Sequence, residues 1–354
     1  MKLAITADLH LTTRSEHPER YAALANILDQ MLAARINTLI IAGDLFDASS
    51  QNYAEFDQFC KAPKYRPIKI LILPGNHDAR LTNQSLTAEN VQIVSEPTVT
   101  IFNSGGVKFF LLPYKPEKTM GEFMAAHAQH LPANQWVLIS HGDWAEGMRD
   151  PNPYEPGVYM PLTRTDIETY KPVRALLGHI HKPWDGPRVR YAGSPCGVAI
   201  DETGRRRFLI IDTETGAVKS QTVASDVIFF NEAFTILPVR DEAAYLKNQI
   251  VSRIKSWGLE DREYPKVRLQ VKVSGYTADK RALHTIVKES FRGFAFHRDQ
   301  EPDLSEVGIA EDINRAEIAN QVSSWIEKLD WQPAADQPDK PQILLEALHV
   351  IYGM

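Results

Sequence analysis

Asp8, His10, Asp44, Asn76, His77, His141, His179 and His181 all stand at the ends of short apolar runs. The runs are "ITADLH", "IIAGDLFD", "LPGNHD", "VLISHGD" and "ALLGHIH". Carboxylate, amide and imidazole groups are oxygen and nitrogen donors, and gathered in one place they suit divalent cations such as Mn²⁺, Fe²⁺ or Zn²⁺ without choosing among them. In "DLH" and "HIH" the donors are two residues apart, so in extended backbone both project to one side while Leu9 or Ile180 turns inward. Seven donors, Asp8, His10, Asp44, Asn76, His141, His179 and His181, are more than one such ion accommodates. With Asp44 as a bridge they make four contacts to each of two ions, leaving positions for a water and a substrate oxygen. Five of the eleven histidines stand in these settings, whereas His17, His127, His130, His284, His297 and His349 do not and are assigned structural or surface roles.

Such donors converge only if a sheet presents adjacent strand tips. "KLAITA" at 2 to 7, "NTLIIAG" at 37 to 43 and "IKILILPG" at 68 to 75 read as buried strands, with a helix over 19 to 36 between the first two. Further strands are expected at 99–103, 107–113, 136–140, 174–178, 189–193 and 206–214, with a hairpin around "NSGG" at 103 to 106. This density of strands, with antiparallel pairing among them, fits an α/β fold of two sheets with flanking helices. Gly43, Gly75 and Gly178 precede liganding turns and Gly142 follows His141, where a missing side chain lets backbone turn sharply.

The register changes after residue 220. "YPKVRLQVKVSG" at 264 to 275 alternates as a half-buried strand, and "TADKRALHTIVKESF" at 277 to 291 reads as a helix starting near Thr277 or Asp279. The expected division is 1–220 for the strand-tip domain, 225–305 for a small α/β domain and 306–354 for two C-terminal helices. Those helices have apolar faces that need either the chain itself or a partner.

At 354 residues and 44% hydrophobic the chain supports a large core. A formal charge of −6 excludes a uniformly basic surface but not a local basic groove. Two cysteines, Cys60 and Cys196, are too few for a disulfide framework. The start "MKLAITADLHL" lacks the signature of a signal peptide and charges interrupt every later apolar run, so a soluble cytoplasmic protein with no membrane association is expected.

The pattern "DLH…GDLFD…GNHD…H…GHIH" resembles the calcineurin-like metallophosphoesterase superfamily over roughly residues 1 to 215. Within it, "GDLFD", "GHIHKP" and "YAGSP" at 191 to 195 look like the bacterial SbcD and Mre11 branch of DNA repair nucleases. The resemblance implies a four-layer sandwich of two mixed β-sheets flanked by helices, with a small α/β capping domain. It also implies two divalent metal ions, of which Mn²⁺ is the expected species. Asp8, His10, Asp44 and His181 would hold the first ion, and Asp44, Asn76, His141 and His179 the second. His77 would stay off the metals as proton donor or transition-state stabiliser, with Asp78 orienting its ring, so the catalytic pair is His77 and Asp78. Ser194 and Cys196 are not needed as nucleophiles. Asp47 stands where archaeal and eukaryotic members carry a His, and the segment after "GNHD" is short where that branch often has longer dimer helices. A homodimer is a further expectation from the resemblance.

The implied activity is DNA phosphodiester hydrolysis, as exonuclease or structure-dependent endonuclease, with an SMC-like coiled-coil ATPase of the SbcC/Rad50 type as partner. The alternatives are a small-molecule, nucleotide or protein phosphoesterase and a noncatalytic scaffold. DNA is favoured by nine Lys or Arg against three acidic residues in 262–298, among them Lys266, Arg268 and Lys272. Arg188 and Arg190 are further candidates for the phosphate backbone, Trp184 and Tyr191 for stacking on bases. Trp144, Arg149, Tyr154 and Tyr159 are candidates for a substrate wall.

Overall fold

Strands that are apolar along most of their length bury both faces, and the centre of the first unit is built from them. The computed structural model describes residues 1–48, 52–145, 157–239, 241–310, 313–333 and 337–352. One unit comprises residues 1–198 and 205–227, and the other 199–204 and 228–354. In chain order the first contains β1 (Lys2–Thr6), α1 (Pro18–Ala33), β2 (Thr38–Ala42), α2 (Tyr53–Cys60), β3 (Lys69–Leu73), β4 (Val91–Ile93), β5 (Thr98–Thr100) and β6 (Lys108–Leu112). It continues with α3 (Met120–His127), β7 (Trp136–His141), α4 (Arg164–Tyr170), β8 (Arg174–Gly178), β9 (Trp184–Asp185), β10 (Val189–Tyr191), β11 (Arg207–Asp212) and β12 (Val218–Thr222).

These strands form two six-stranded sheets, ordered β12-β11-β1-β2-β3-β4 and β5-β6-β7-β8-β10-β9. Both are mixed: β1, β2, β3 and β4 run parallel while β11 is antiparallel to β1 and β12. In the other sheet β6, β7, β8 and β10 run parallel, with β5 and β9 antiparallel at the edges. The period of two sorts the side chains. Ile5, Ile40, Leu71, Leu111, Ile139 and Leu176 fill the core between the sheets. Leu39, Ile41, Ile70 and Ile72 point the other way, against Leu24, Ile27 and Leu28 of α1 and Phe56 of α2. Phe110, Leu138 and Ala175 do the same toward Met124 of α3 and Ile167 of α4. Each fully buried aliphatic side chain contributes about 1.5–3 kcal/mol. The result is helix, sheet, sheet, helix, with the parallel strands of each sheet ending along one edge.

The expected strands are present, mostly shortened by a residue or two. The hairpin is also present, with Thr98 paired to Leu111 and Thr100 to Phe109, although the first strand ends at Thr100 rather than 103. Helices α2, α3 and α4 went unread in the sequence because each is at most eight residues long, too short for a periodic pattern to show. Their start signals are plain in retrospect: Asn52, Thr119 and Thr163 each accept a backbone amide as N-cap.

Asp57 on α2 ties down the segment that follows the third donor loop. Its carboxylate accepts the Thr87 amide, the Thr87 hydroxyl and the Ala88 amide, each at 2.7 Å, and pairs with Lys61. Burial pulls the Asp57 carboxyl up, but Lys61 and these donors outweigh it and hold it at about 2, below the usual 3.8. A depressed carboxyl adds stability above its unfolded pKa that disappears as pH falls through the folded one. Asp57→Asn should therefore cost about 1 kcal/mol, after screening, at neutral pH and nothing near pH 2. Urea melts at both pH values check this, and an equal loss at both would rule out a charge-dependent tie.

In the second unit β13 (Ile228–Ile236), α5 (Glu242–Ser256), β14 (Val267–Thr277), α6 (Lys280–Ser290), β15 (Ala295–Phe296) and β16 (Val307–Ile309) precede α7 (Ile313–Lys328) and α8 (Lys340–Tyr352). Strands β13, β15 and β16 all pair parallel to β14, which requires helical crossovers of the kind α5 and α6 supply. Val267, Leu269, Val271 and Val273 pack with Leu246, Ile250, Leu283 and Val287. Of the two expected start residues for α6, Asp279 is the cap, accepting Arg281 and Ala282 amides at 2.9 and 3.0 Å. The terminal helices bury Ala319 and Leu348 against Leu237 and Tyr276 of the same unit.

Candidate metal centre

The donor loops leave β1, β2, β3, β7 and β8 at the same edge and bond to one another. The Asp8 amide donates to the Gly43 carbonyl and the His10 amide to that of Asp44, both at 3.1 Å. The His179 amide donates to Asp8 Oδ1 at 2.8 Å, joining the two sheets. Asp8 (φ 55°), His10 (φ 45°), Asp44 (φ 51°) and His179 (φ 97°) all lie in the left-handed region, where side-chain-bearing residues are strained and cluster at functional sites. Room is as tight as the backbone: a Cβ on Gly43 would sit 2.0 Å from His141 Nδ1, and one on Gly75 2.1 Å from Asp44 Oδ1.

All seven donors come together. Asp8, His10 and His181 present ligand atoms within 4.8 Å of one another, as do Asp44, His141 and His179, and also His10, Asp44 and His77. Asp44 Oδ2 lies 3.3 Å from His141 Nε2, 3.7 Å from His10 Nε2 and 4.0 Å from His77 Nε2. Asn76 Oδ1 is 2.7 Å from His141 Nε2, and His10 and His181 face each other Nε2 to Nε2 at 3.0 Å. His141 Nδ1 donates to the Ala42 carbonyl at 2.9 Å, which leaves the Nε2 lone pair for the centre.

These residues fit divalent cations. Asp8 is fully buried and its Oδ2 has no hydrogen-bond partner, an arrangement that costs several kcal/mol unless a cation meets it. Burial pushes the Asp8 carboxyl up to about 6, against the pull of His181 and His141. Burial and His181 push His10 down to about 3. Burial alone would lower His141, yet Asp44 and Asp8 outweigh it and raise it to about 9, while burial of Asp44 is overcome by His141, His10 and His77, which hold its carboxyl below the ordinary range. Mixed donors with anionic carboxylates this deep are the setting that divalent ions neutralise.

Asp78 has a role the sequence did not suggest. Its Oδ2 accepts the Leu45 and Phe46 amides at 2.9 and 3.2 Å and its Oδ1 the Gly75 amide at 2.7 Å, so it fastens the second donor loop to the third. Burial, with the Asp44 charge second, raises it to about 6. Three more residues escaped the sequence reading. Arg20 and Arg206, both buried, donate to the main-chain carbonyls of His10 and His181. Asp143 lies with Oδ1 3.6 Å from His179 Nε2 and accepts the Tyr159 amide at 2.7 Å. Its signal was the Asp in "SHGD", two residues beyond His141. Since groups that orient a ligand's ring typically shift metal affinity 10–100-fold, Asp143→Asn should weaken Mn²⁺ binding by about 10-fold. Calorimetric titration giving wild-type affinity would remove Asp143 from the centre.

The expected substrate residues divide. Tyr159 is at the centre, its ring 4.7 Å from that of His179, whereas Arg149 and Tyr154 lie outside the described residues. Tyr191 is buried, donating its hydroxyl to the Gly142 carbonyl and accepting the Trp144 amide, so it packs and does not stack on bases. Arg190 turns to Asp185 and the Val218 carbonyl, while Arg188 is exposed. The basic stretch 262–298 is partly neutralised: Lys272 pairs with Glu306, Lys288 with Glu301 and Arg262 with Glu260, all acidic residues outside the counted window. Arg268 donates to the Pro265 and Val267 carbonyls, and Lys266 is half-buried at the start of β14.

The family described as calcineurin-like phosphoesterase matches residues 1–183, and the chain belongs to it. The family indicates a metal-dependent phosphoesterase. The chain is 24% identical over 268 residues to the uncharacterized metallophosphoesterase YhaO of Bacillus subtilis, covering 67% of this chain and 64% of that protein. It is 22% identical over 329 residues to the SbcD subunit of the nuclease SbcCD of Escherichia coli, covering 77% of this chain and 78% of that relative. Among solved structures, TT1561 of Thermus thermophilus shares 13% identity over 62% of this chain and 98% of its own, with a TM-score of 0.41, too distant for its details to bear on this chain. Among the described residues no helix is long and apolar enough to cross a membrane.

Proposed function

We propose that this chain is a two-metal-ion phosphodiesterase that hydrolyses DNA, as an exonuclease, a structure-dependent endonuclease or both. The observation that carries the phosphodiesterase reading is the convergence of seven donors, Asp44 among them, from two sheets. The DNA reading is supported by the match to the SbcD subunit. Covering 77% of the chain, it extends well past the family match at residue 183 and takes in part of the second unit.

In this reading Asp8, His10, Asp44 and His181 hold one ion and Asp44, Asn76, His141 and His179 the other, with Mn²⁺ the proposed species. Two such ions supply Lewis acidity to the phosphoryl oxygens and an acidified water. The chain does the rest. His141 is fixed in tautomer by Ala42, Arg20 and Arg206 hold the His10 and His181 loops from behind, and Asp78 keeps the Asp44 and Asn76 loops in register. His77, its ring 22% exposed where those of His10, His141 and His179 are 3% or less, gives a proton to the departing sugar oxygen.

A partner of the SMC-like ATPase type finds support on α7. Ile318 and Trp325 on α7 and Leu329 directly after it recur at helical spacing and are 52%, 65% and 49% exposed, a face that the packing of Ala319 does not use.

The pairing of the 262–298 cations with Glu260, Glu301 and Glu306 favours a second reading, a phosphodiesterase for small substrates. Purified protein with Mn²⁺ is assayed on end-labelled single strands, duplexes, hairpins and bis(4-nitrophenyl) phosphate. Cleavage of DNA, with product lengths giving polarity, upholds the first reading. Turnover of the small diester alone replaces it with the second.

A further inference from the structure

Beside the donor loops the first unit holds a cavity of about 590 Å³, within the range of sites that take a small ligand. Its walls include two half-buried indoles, Trp144 and Trp184, over a floor of Ile167 and Val189. Exposed Lys171 and Arg188 stand on the rim, and with Arg164 and Glu168 also lining it the cations outnumber the anions three to one. Flat aromatic faces beside positive charge match a planar base that carries a phosphate. The main chain at Trp144 and the ring of Trp184 are both tied to neighbouring elements. The Trp144 amide donates to the Tyr191 hydroxyl at 2.6 Å, the Ala145 amide to the Leu162 carbonyl at 2.9 Å, and the Trp184 ring lies 6.4 Å from that of Tyr191.

The cavity is continuous with the metal centre along the chain. Trp144 follows His141 by three residues, and Trp184 follows His181 by three. Three residues span at most about 11 Å. That is the reach of a nucleotide or two of an unpaired, unstacked strand.

We infer that this cavity binds an unpaired nucleotide of single-stranded DNA, the base against Trp144 and Trp184 and its phosphates against Lys171 and Arg188, close to the bond that is cut. The inference rests on the nuclease reading and narrows its substrate to DNA with a single-stranded or frayed end. A paired base keeps its faces stacked on its neighbours, so a blunt duplex cannot fill the site.

The test is fluorescence anisotropy of the full chain with a labelled oligothymidylate of about 12 nucleotides, and with a blunt duplex of equal length, in EDTA so that no probe is consumed. Wild type should prefer the single strand. Trp144→Ala and Trp184→Ala should each weaken single-strand binding about tenfold, and Trp184→Phe should restore most of it. Lys171→Glu alters an exposed side chain, so it tests the site without disturbing the fold. It should flatten the dependence of log affinity on log salt by about 0.7. Wild-type affinity in all four variants, in a protein that does cleave DNA, would overturn the cavity and leave the nuclease reading standing. Loss of binding in the variants of a protein that cleaves no DNA would uphold the cavity and remove the nuclease reading. A wild type that binds no single strand overturns the inference outright.

Discussion

Asp44→Ala should abolish the rise in melting temperature expected of the wild type with Mn²⁺, and should lower phosphodiester turnover by more than about 100-fold. Asp44 lies near both halves of the donor set, with Oδ2 3.3 Å from His141 Nε2 and 3.7 Å from His10 Nε2. Its other oxygen accepts the His77 amide at 3.0 Å, so its removal also loosens the third donor loop. A ligand that binds only the folded chain stabilises it by about 2.7 kcal/mol at a hundred times its dissociation constant. That increment is what the variant should lose. Stability without metal is set by two opposed effects, since Asp8 and Asp78 are relieved of the Asp44 charge while His141, His10 and His77 lose the carboxylate that attracts them, so the metal-dependent increment is the readout. Calorimetry and metal analysis decide the matter, and two ions bound with ordinary affinity would end the bridging assignment.

The same centre shows what one sequence can and cannot disclose. The donors were legible because each closes an apolar run, and a run of β-branched residues ending in Asp, Asn or His admits few explanations once it recurs. The two sheets were legible from the same runs together with the "NSGG" hairpin. What escaped was whatever depends on contacts distant in the chain. Arg20 lies in the first turn of an amphipathic helix, where an arginine ordinarily faces water, and only the fold shows it buried behind His10. Arg206 is one of three consecutive arginines and its neighbour Arg207 pairs with Asp185, so nothing local marks which of them turns inward. Counting charges in 262–298 misjudged the field there for a like reason. The compensating carboxylates of Glu301 and Glu306 lie just beyond the window and return to it through the β16 connection. Tyr191, read as a base-stacking candidate, is held by a hydrogen bond to Gly142, which lies on another strand's loop.

His77→Ala should separate binding from chemistry. The His77 ring meets that of His10 edge-on at 4.7 Å, and its Nε2 is 4.0 Å from Asp44 Oδ2, farther than either His10 or His141. It is also 22% exposed where those two rings are 3% or less, so a substrate can reach it when the deeper donors are occupied. In the proposed reading a group so placed does little to retain an ion and much to neutralise a leaving oxygen. The contribution of a positioned acid is about 10²–10⁴-fold, and the variant should lose turnover of that order with two Mn²⁺ still bound and melting temperature unchanged. The choice of leaving group supplies the sharper comparison. A nitrophenolate departs without a proton and a sugar alkoxide does not, so the loss on bis(4-nitrophenyl) phosphate should be much smaller than on DNA. An equal loss on both substrates would move His77 from proton donor to a stabiliser of the charged phosphoryl group, and no loss on either would remove it from the reaction.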